Sequence, residues 1–327
     1  MQYRKLGRTE LEISEISLGT WQVGGGWGGT FDQKVADEII STAIEHGVNF
    51  LDTADVYDGQ QSERTVAKFV KEKRDKLIIA TKIGRRLSPH IADAYTPEAM
   101  ESFVNDALKN TGLDYLDLVQ LHCPPTAVYQ FDDLFAKLEE IKKNGKVRHF
   151  GVSVEKVEEA KMAADYEVVE SVQIIFNMFR HKPAEELFSL LNGRGIGVIA
   201  RVPLASGLLS GKLTRDRQFD QNDHRHFNQN GEMFDKGETF SGVPLDLGFK
   251  AVDELKRLFG DDELYKYALK WILQFPEVST VIPGASRPEQ VISNIEAANL
   301  PDFNSDQMTA VKKIYDEYIR AEVQELW

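Results

Sequence analysis

The sequence predicts an α/β fold, a (β/α)8 barrel of the TIM type, from three observations. Helical segments alternate with short apolar strands through most of the chain, a glycine stands between helix and strand in several of these units, and about eight strands can be counted. Strands that are apolar almost throughout are typical of a parallel sheet covered by helices, and eight of them close such a barrel. An open doubly wound sheet is the alternative.

The first helix–strand unit shows the pattern. Apolar residues recur at helical spacing from Val35 to Ile44, Gly47 follows as a left-handed cap, and 48–51 is an apolar run that predicts a buried strand. The same order of helix, glycine and strand returns in three later segments, 97–121, 134–150 and 183–200. Further strands are predicted at 16–18, 77–80, 172–175 and 279–282, and charged helices at 63–73 and 155–164.

Three segments lie outside this rhythm. Residues 1–15 contain Gly7-Arg8-Thr9 between short alternating runs, which predicts a β-hairpin that plugs one end of the barrel. Residues 212–245, after the seventh strand, are polar and aromatic with no apolar period, and a loop of this length is usually functional or disordered. Residues 305–326 predict an extra amphipathic helix at the carboxyl end.

Composition excludes several classes of protein. The 39 Lys+Arg against 52 Asp+Glu give a net charge of −13, so the chain lacks the basic surface that nucleic-acid binding requires. With 42% hydrophobic residues it can bury a large core, yet no apolar run approaches the roughly 20 residues of a membrane-spanning helix. Charged residues interrupt positions 1–20, unlike a signal peptide, and the single cysteine, Cys123, fits a reducing compartment. We therefore expect a cytoplasmic protein.

Polar side chains follow the predicted strands at their carboxyl ends, which meet at one face of a parallel barrel. Asp52 and Tyr57 follow the second predicted strand, Lys82 follows the third, and His122 follows the fourth. Taken alone, each of these residues is most simply explained as a hydrogen-bonded polar side chain or a helix cap. Four of them in register with strand ends predict a common site.

The four residue types suit one kind of proton chemistry. An ammonium beside a tyrosine favours the phenolate, and each unit of pKa shift corresponds to about 1.4 kcal/mol. Lys82 can supply that charge, and Asp52 can keep Lys82 protonated and oriented. His122 and Tyr57 can then donate to an oxygen that gains negative charge. This is the chemistry of carbonyl reduction.

The residues around these four resemble the catalytic signature of the aldo-keto reductases. The resemblance rests on Phe50-Leu51-Asp52-Thr53-Ala54-Asp55-Val56-Tyr57 followed by Ser62-Glu63, on Ala80-Thr81-Lys82 and on Leu121-His122. It continues to near the carboxyl end. It implies one TIM-barrel domain over 1–327, of a bacterial type distant from the animal aldose reductases.

The resemblance also implies roles for the residues. Tyr57 is the expected general acid and base, His122 orients the carbonyl, and Lys82 with Asp52 lowers the tyrosine pKa. A nicotinamide cofactor supplies the hydride. The expected activity is therefore an NADP-dependent oxidoreduction of CH–OH groups, on an aldehyde, a ketone or a sugar-derived substrate.

Several cofactor contacts are implied at the strand ends. Ser153 and Gln173 match the family's contacts to the nicotinamide amide, although Val154 stands where an asparagine is usual. Arg201 stands where the family usually places an aromatic residue over the nicotinamide, so that stacking by its planar guanidinium and an ion pair both remain open. The other candidates near strand ends are Gly19, Thr20, Trp21, Pro203 and Leu204.

Two later segments resemble the family's phosphate-binding elements. The first is the pyrophosphate loop, where small residues let backbone amides approach an anion, and its candidates are Ser206, Gly207, Leu208, Gly211 and Lys212. The second receives adenosine and its 2′-phosphate, and its candidates are Gly284, Ser286, Arg287, Gln290 and Asn294. An arginine at a helix amino terminus suits a phosphate by charge and by dipole, so we expect NADPH/NADP+ rather than NADH. Arg225 resembles an adenine-side contact in some members.

The substrate is less defined than the reaction. Trp21 and Trp27 lie near the first strand end and are expected to line the substrate mouth beside Tyr57 and His122. The loop 89–95 and the long insertion would shape the rest of the pocket. Sugars, sugar-derived ketones and small aldehydes all fit this description.

Three other patterns have competing interpretations. Residues 24–29 satisfy the G-x-G-x-x-G spacing of a dinucleotide-binding loop, but the next helix starts only at Asp32, its expected cap, so we expect a mobile substrate loop. Residues 223–226 hold two histidines without companion ligands, and no metal is expected. Cys123 is expected to be buried on the strand face opposite His122.

Other classes of function stay open. The family's barrel also serves as a cofactor-binding subunit attached to membrane channels, so the four residues could be kept with little or no turnover. An open-sheet dehydrogenase is a third possibility, and full activity after Tyr57→Phe would argue against the barrel mechanism.

Overall fold

A parallel β-barrel dominates the computed structural model, which describes residues 1–24 and 30–327. Two short strands, β1 (Tyr3–Lys5) and β2 (Glu12–Ser14), precede the barrel. The barrel strands are β3 (Leu18–Gly19), β4 (Phe50–Asp52), β5 (Ile78–Ile83), β6 (Leu116–His122), β7 (Val147–Ser153), β8 (Val169–Ile175), β9 (Gly197–Arg201) and β10 (Val278–Val281). Each pairs in parallel with the next in chain order. Parallel bridges from Ile16 to Val281 and from Gly19 to Gly284 join the first strand to the last and close the ring.

Helices follow the strands and cover the outside of the sheet. In chain order they are α1 (Gln33–Glu45), α2 (Gln61–Glu72), α3 (Pro97–Thr111), α4 (Asp132–Lys143), α5 (Val157–Ala163), α6 (Lys182–Glu186), α7 (Phe188–Gly193), α8 (His224–Phe227), α9 (Leu245–Phe259), α10 (Leu264–Leu273), α11 (Pro288–Glu296), α12 (Ser305–Tyr318) and α13 (Arg320–Val323). The alternation of strand and helix confirms the predicted (β/α)8 barrel, so the open sheet is excluded. Among the described helices, none has the length and apolar character needed to cross a bilayer.

Helix boundaries follow local sequence signals. The Asp32 carboxylate accepts hydrogen bonds from the backbone N–H groups of Lys34 and Val35, so α1 begins after this cap as predicted. Thr96 caps α3 in the same way, and Gly112 ends it with a φ of 59°. Two predicted helices are interrupted. The segment 183–191 divides into α6 and α7 at Leu187, and the carboxyl-terminal helix divides into α12 and α13 at Ile319, where φ is −120°.

The amino-terminal hairpin plugs one barrel end, as predicted. Strands β1 and β2 pair antiparallel, with Tyr3 opposite Ser14. Between them, the N–H of Leu6 donates to the carbonyl of Leu11, and Gly7 has a φ of 54°. The hairpin's apolar side chains enter the barrel and join a buried cluster of Leu6, Leu11, Ile13, Phe50, Ala80, Leu118, Ile199 and Ile282. The carboxyl ends of the strands are left for polar residues.

The long polar segment is ordered rather than disordered. It forms α8 and short 3-10 turns, and the Asn228 side chain accepts hydrogen bonds from the N–H groups of Met233 and Phe234. The indole N–H of Trp327 donates to Asp235 at 2.7 Å, so the carboxyl terminus holds the segment in place. Polar contacts of this kind leave no apolar period in the sequence, which is why no helix was predicted there.

The close contact between hairpin and barrel gives a stability prediction. A Cβ added at Gly197 would lie 2.8 Å from the backbone nitrogen of Gly7 and 2.9 Å from the carbonyl carbon of Leu6. Gly197→Ala is expected to displace the hairpin and to lower the free energy of unfolding by about 1–3 kcal/mol. Gly193→Ala is the matched control, because a Cβ there meets no described atom within 4 Å, and its effect should stay within about 0.5–1 kcal/mol. Urea unfolding followed by circular dichroism measures both, and equal midpoints would contradict the predicted contact.

Candidate active site

A cavity of about 580 Å³ opens at the carboxyl ends of the barrel strands. Its walls combine residues from these strand ends with residues of the long polar segment. Of the four residues predicted as a common site, Asp52, Tyr57 and His122 line the cavity, and Lys82 lies beside them, 1% exposed.

Lys82 is the centre of the predicted constellation. Its ammonium nitrogen lies 2.5 Å from Asp52 Oδ2, 2.9 Å from the carbonyl oxygen of Thr53 and 3.4 Å from Tyr57 Oη. The His122 ring packs edge-on against Tyr57, with ring centroids 6.1 Å apart. The structure therefore brings together all four residues that the sequence placed at the ends of three successive strands.

Burial acts on the pKa of Tyr57 and on the pKa of Lys82 beside it. Burial raises the pKa of Tyr57 above its ordinary value of 10, and the positive charge of Lys82 acts in the opposite direction without overcoming it. The expected net lowering of the tyrosine pKa is therefore not found in this structure. Burial also disfavours the Lys82 ammonium, but Asp52 and Tyr57 outweigh burial and raise the pKa of Lys82. The resting pair is a protonated tyrosine beside a charged lysine.

His122 is held neutral. Burial lowers its pKa well below 6.5, and the positive charges of Arg85 and Lys82 lower it further. Its Nδ1 is buried and hydrogen-bonds no group of residues 1–24 and 30–327. A neutral imidazole at a cavity wall can donate one hydrogen bond to an oxygen of a bound molecule.

Two glutamines complete the surroundings of Asp52. The side-chain amide of Gln173 donates to Asp52 Oδ1 at 2.9 Å and to Gln120 Oε1 at 3.2 Å, while the Gln120 amide lies 3.4 Å from Asp52 Oδ1. Gln173, expected as a nicotinamide contact, lines the cavity but uses its amide group on Asp52. Sequence reasoning missed Gln120, although it is a polar residue within an apolar strand.

Arg201 forms ion pairs, one of the two interpretations that the sequence left open. Its guanidinium nitrogens lie 2.7 Å from Glu238 Oε2 and 2.8 Å from Glu155 Oε2, and it donates to the carbonyl oxygen of Val154 at 2.9 Å. The planar group is thus bound at its edges, and it lines the cavity. Sequence reasoning missed Glu155, Glu238 and Arg85, because no local pattern links residues that meet only in the folded barrel.

Most of the predicted cofactor residues line this cavity. Those that do are Gly19, Thr20, Trp21, Ser153, Gln173, Arg201, Pro203, Leu204, Ser206, Gly207, Lys212, Arg225, Gly284 and Gln290. The remaining five lie outside its wall. Leu208 is buried in the core, Gly211 ends the turn Ala205–Ser210, Ser286 and Asn294 bond to Gln290 and to the Gly284 carbonyl, and Arg287 is exposed at the cap of α11.

The turn Ala205–Ser210 fits an anionic ligand. Ser206 and Gly207 have φ angles of 53° and 100°, and a Cβ on Gly207 would enter open space whose nearest atom is Arg225 Nη1 at 3.7 Å. Consecutive left-handed residues turn the backbone into the kind of concave surface that binds phosphates. Lys212 and Arg225 also line the cavity, so the residues present fit a dinucleotide.

Aromatic side chains also line the cavity. Trp21 stacks on Tyr57 with centroids 6.1 Å apart and meets the edge of Phe234 at 6.4 Å. Phe234 comes from the long polar segment and was not predicted. Trp27 and the predicted glycine-rich loop, apart from Gly24, lie outside the described residues.

The two other sequence patterns have structural explanations. Asp223 caps α8 and pairs with Arg225 at 2.6 Å, so the 223–226 segment is a helix start. Cys123 is buried, as expected, 3.6 Å from Ser153 Oγ, and burial raises the pKa of its thiol. Its sulfur and the Glu155 and Glu238 carboxylates lie within 4.8 Å of one another, but Arg201 already binds both carboxylates.

Comparison with known proteins identifies the class. Residues 15–316 match the model of the Aldo/keto reductase family, and the chain belongs to this family of oxidoreductases, which use nicotinamide cofactors. The oxidoreductase YqkF of Bacillus subtilis is 31% identical over 95% of this chain and 96% of its own length. The NADH-specific methylglyoxal reductase of Escherichia coli is 28% identical, with 92% and 94% covered. A probable voltage-gated potassium channel subunit beta of Arabidopsis thaliana is 29% identical, with 92% of each covered.

Solved structures agree with the fold. The holo form of the aldo-keto reductase AKR11C1 from Bacillus halodurans superimposes with a TM-score of 0.78, at 27% identity and over 96% of both chains. The family resemblance drawn from the strand-end residues is therefore confirmed.

Asp55 gives a pH-dependent stability prediction. It is 1% exposed, Oδ1 hydrogen-bonds no described group, and burial raises its pKa to about 6 although Arg86 opposes this. The folded state therefore binds this proton more tightly than the unfolded chain, whose value is 3.8, and stability is lost as pH rises from about 4 to 6.

Asp55→Asn removes that loss because the amide does not ionise. We expect the stability of the variant relative to the natural chain to increase by about 3 kcal/mol at most between pH 4 and pH 7. Urea unfolding of both proteins at matched pH values measures the difference, in which the other titrating groups cancel. A difference that does not change with pH would contradict the raised pKa.

Proposed function

We propose that this protein is an NADP(H)-dependent reductase that transfers a hydride between the nicotinamide and a carbonyl or alcohol carbon. The proposed substrates are aldehydes, ketones or sugar-derived carbonyls. The observation that carries the proposal is the series of contacts from Asp52 through Lys82 to Tyr57, with the His122 ring packed against the tyrosine. These residues lie at the wall of a cavity large enough for a small carbonyl compound beside a cofactor.

The proton chemistry follows from the charges. When bound, reduced nicotinamide supplies the hydride to the carbonyl carbon, and the carbonyl oxygen gains negative charge. Tyr57 is a proton donor at neutral pH because burial keeps its pKa above 10. Donation leaves a phenolate 3.4 Å from the Lys82 ammonium, whose charge stabilises it, and His122 donates to the same oxygen. Alcohol oxidation uses the same groups in reverse.

The preference for NADPH is proposed from the residue expected to bind the 2′-phosphate of the cofactor. Arg287 stands exposed at the cap of α11, where a guanidinium and a helix amino terminus can both attract a 2′-phosphate. The Escherichia coli relative is named as NADH-specific, so the preference for NADPH is a property of this chain's own residues and needs its own test.

A second candidate is a cofactor-binding subunit with little turnover. The relative named as a channel subunit aligns over 92% of this chain, so this function is compatible with the family. Tight NADPH binding without turnover on aldehydes and ketones would favour it over the reductase.

Tyr57→Phe tests the reductase directly. Removing the hydroxyl removes the proton donor, so kcat for carbonyl reduction should fall by about 10²–10⁴-fold while the affinity for NADPH stays within about threefold. NADPH fluorescence titration and NADPH oxidation on an aldehyde and ketone panel measure the two effects. Tyr115→Phe is the control, since Tyr115 precedes β6 at the opposite end of the barrel, between Arg74 and Arg148. Full activity of Tyr57→Phe would contradict the proposed mechanism.

Arg287→Met tests the cofactor preference. A charge-assisted contact to the 2′-phosphate contributes about 1.5–3 kcal/mol, so the Kd for NADPH should rise roughly tenfold to hundredfold. The Kd for NADH, which lacks that phosphate, should stay nearly constant. Arg257→Met is the control for loss of one surface charge, because Arg257 pairs only with Glu254 on α9 among described residues. Equal weakening of both cofactors would contradict the role of Arg287.

A further inference from the structure

Arg85 is a cavity residue that the proposed proton chemistry does not use. Arg85 lies two residues after the end of β5 and lines the same cavity as Tyr57 and His122. Its nearest carboxylate oxygens belong to Glu155 and Glu238, at 3.9 Å and 4.0 Å from Nη1. These distances exceed hydrogen-bond length. Within the described part of the chain, the five N–H donors of Arg85 thus bond to no acceptor, although its side chain is only 23% exposed.

The neighbouring arginine explains why Arg85 lacks close partners. Arg201 takes the acceptors of this cluster, at 2.7 Å from Glu238 and 2.8 Å from Glu155. Burial raises the pKa of Glu155 to about 8, with a further contribution from the negative charge of Glu238. Burial disfavours the Glu238 carboxylate, but Arg201 and Arg85 outweigh burial and lower its pKa. Burial therefore disfavours the charge on one of the two carboxylates that lie near the two guanidinium groups, and Arg201 holds both carboxylates at hydrogen-bond distance.

The other titratable groups near Arg85 provide no negative charge that could pair with its guanidinium. Burial raises the pKa of the Cys123 thiol, so the thiol stays neutral. Burial lowers the pKa of His122, and Arg85 is the charge that contributes most to this lowering. Burial and Arg85 also lower the pKa of His90. Arg85 is thus a positive charge at the cavity wall that acts on the His122 imidazole.

A continuous wall connects this charge to the proton donor. The Arg85 guanidinium lies 5.7 Å from the ring centre of Phe234, Phe234 meets Trp21 at 6.4 Å, and Trp21 stacks on Tyr57 at 6.1 Å. A small molecule whose carbonyl lies at Tyr57 and His122 can therefore extend along the two aromatic rings to Arg85.

We propose that Arg85 recognises an anionic group of the substrate, so that the preferred substrates are carbonyl compounds that also carry a carboxylate or a phosphate. This inference rests on the proposed reductase function and specifies its substrate class. Both groups accept paired hydrogen bonds from a guanidinium, which the Glu155 and Glu238 oxygens at 3.9 Å and 4.0 Å from Arg85 Nη1 do not. The two aromatic rings pack against the short carbon chain between carbonyl and anion.

Matched substrate pairs test the proposal in steady-state kinetics. The carboxylate pair is 4-oxobutanoate and its methyl ester, and the phosphate pair is glyceraldehyde 3-phosphate and glyceraldehyde. For the preferred anion, kcat/KM of the charged member should exceed that of the neutral member by roughly tenfold or more. The pair with the larger ratio identifies carboxylate or phosphate as the recognised group.

Arg85→Met should bring this ratio close to one by raising KM of the charged member, with the neutral member nearly unaffected. Arg85→Lys should keep part of the preference, since it retains the charge but loses the paired geometry. Arg217→Met, at an exposed position of the polar segment outside the cavity wall, is the control for a lost positive charge and should behave as the natural chain. An unchanged ratio in Arg85→Met, or an equal loss for both members of a pair, would overturn the proposal.

A binding measurement separates this inference from the reductase function. Calorimetric titration of 4-oxobutanoate and of glyceraldehyde 3-phosphate into the protein saturated with NADP+ needs no turnover. The preferred anion should bind roughly tenfold more weakly to Arg85→Met than to the natural chain. Anion-selective binding without any turnover would refute the reductase and support Arg85, whereas turnover of neutral carbonyls without anion selectivity would support the reductase and refute the role of Arg85.

Discussion

The buried ion pair between Lys82 and Asp52 is the interaction on which the site depends. Both side chains are 2% exposed, and an ammonium at that depth would lose several kcal/mol of hydration if its charge were not compensated. Asp52 compensates it, and the amides of Gln173 and Gln120 complete the hydrogen bonding of Asp52. These residues come from β4, β5, β6 and β8. Only a closed parallel barrel brings one side chain from each of these strands to the same level, so the fold and the charge pair require each other.

A second set of buried charges fixes the long polar segment over the cavity. Glu238 of that segment binds Arg201 at the end of β9, and Arg201 in turn binds Glu155 after β7. The segment is therefore held by ion pairs, by Asn228 and by Trp327 rather than by an apolar face of its own. This arrangement lets a stretch without hydrophobic periodicity supply Phe234 and Arg225 to the cavity wall at defined positions.

The sequence predicted those features that arise from local chemistry or from the register of parallel strands. Cap residues such as Asp32 located helix starts, and strand-end positions located Asp52, Tyr57, Lys82 and His122. It did not predict contacts between distant segments, such as Arg201 with Glu238, which lie 37 residues apart and share no spacing rule. It predicted that Lys82 lowers the pKa of Tyr57 but not that burial opposes this effect, because the depth of burial is a property of the assembled barrel. Single breaks inside helices, as at Leu187 and Ile319, depend on the packing beneath them.

Lys82 and Arg85, two of the cationic residues at the candidate active-site cavity, differ in how many hydrogen-bond acceptors the protein places around them. Lys82 has a carboxylate, a carbonyl oxygen and a phenol oxygen within 3.4 Å, so its geometry is set before any ligand enters. Such preorganisation suits a group that must stabilise a phenolate without moving. Among the described residues, Arg85 has two carboxylate oxygens near 4 Å and none at hydrogen-bond distance, so its N–H groups are available at the cavity wall. Because its side chain is 23% exposed, an anion that binds there can replace water with paired, charge-assisted hydrogen bonds, and these provide affinity.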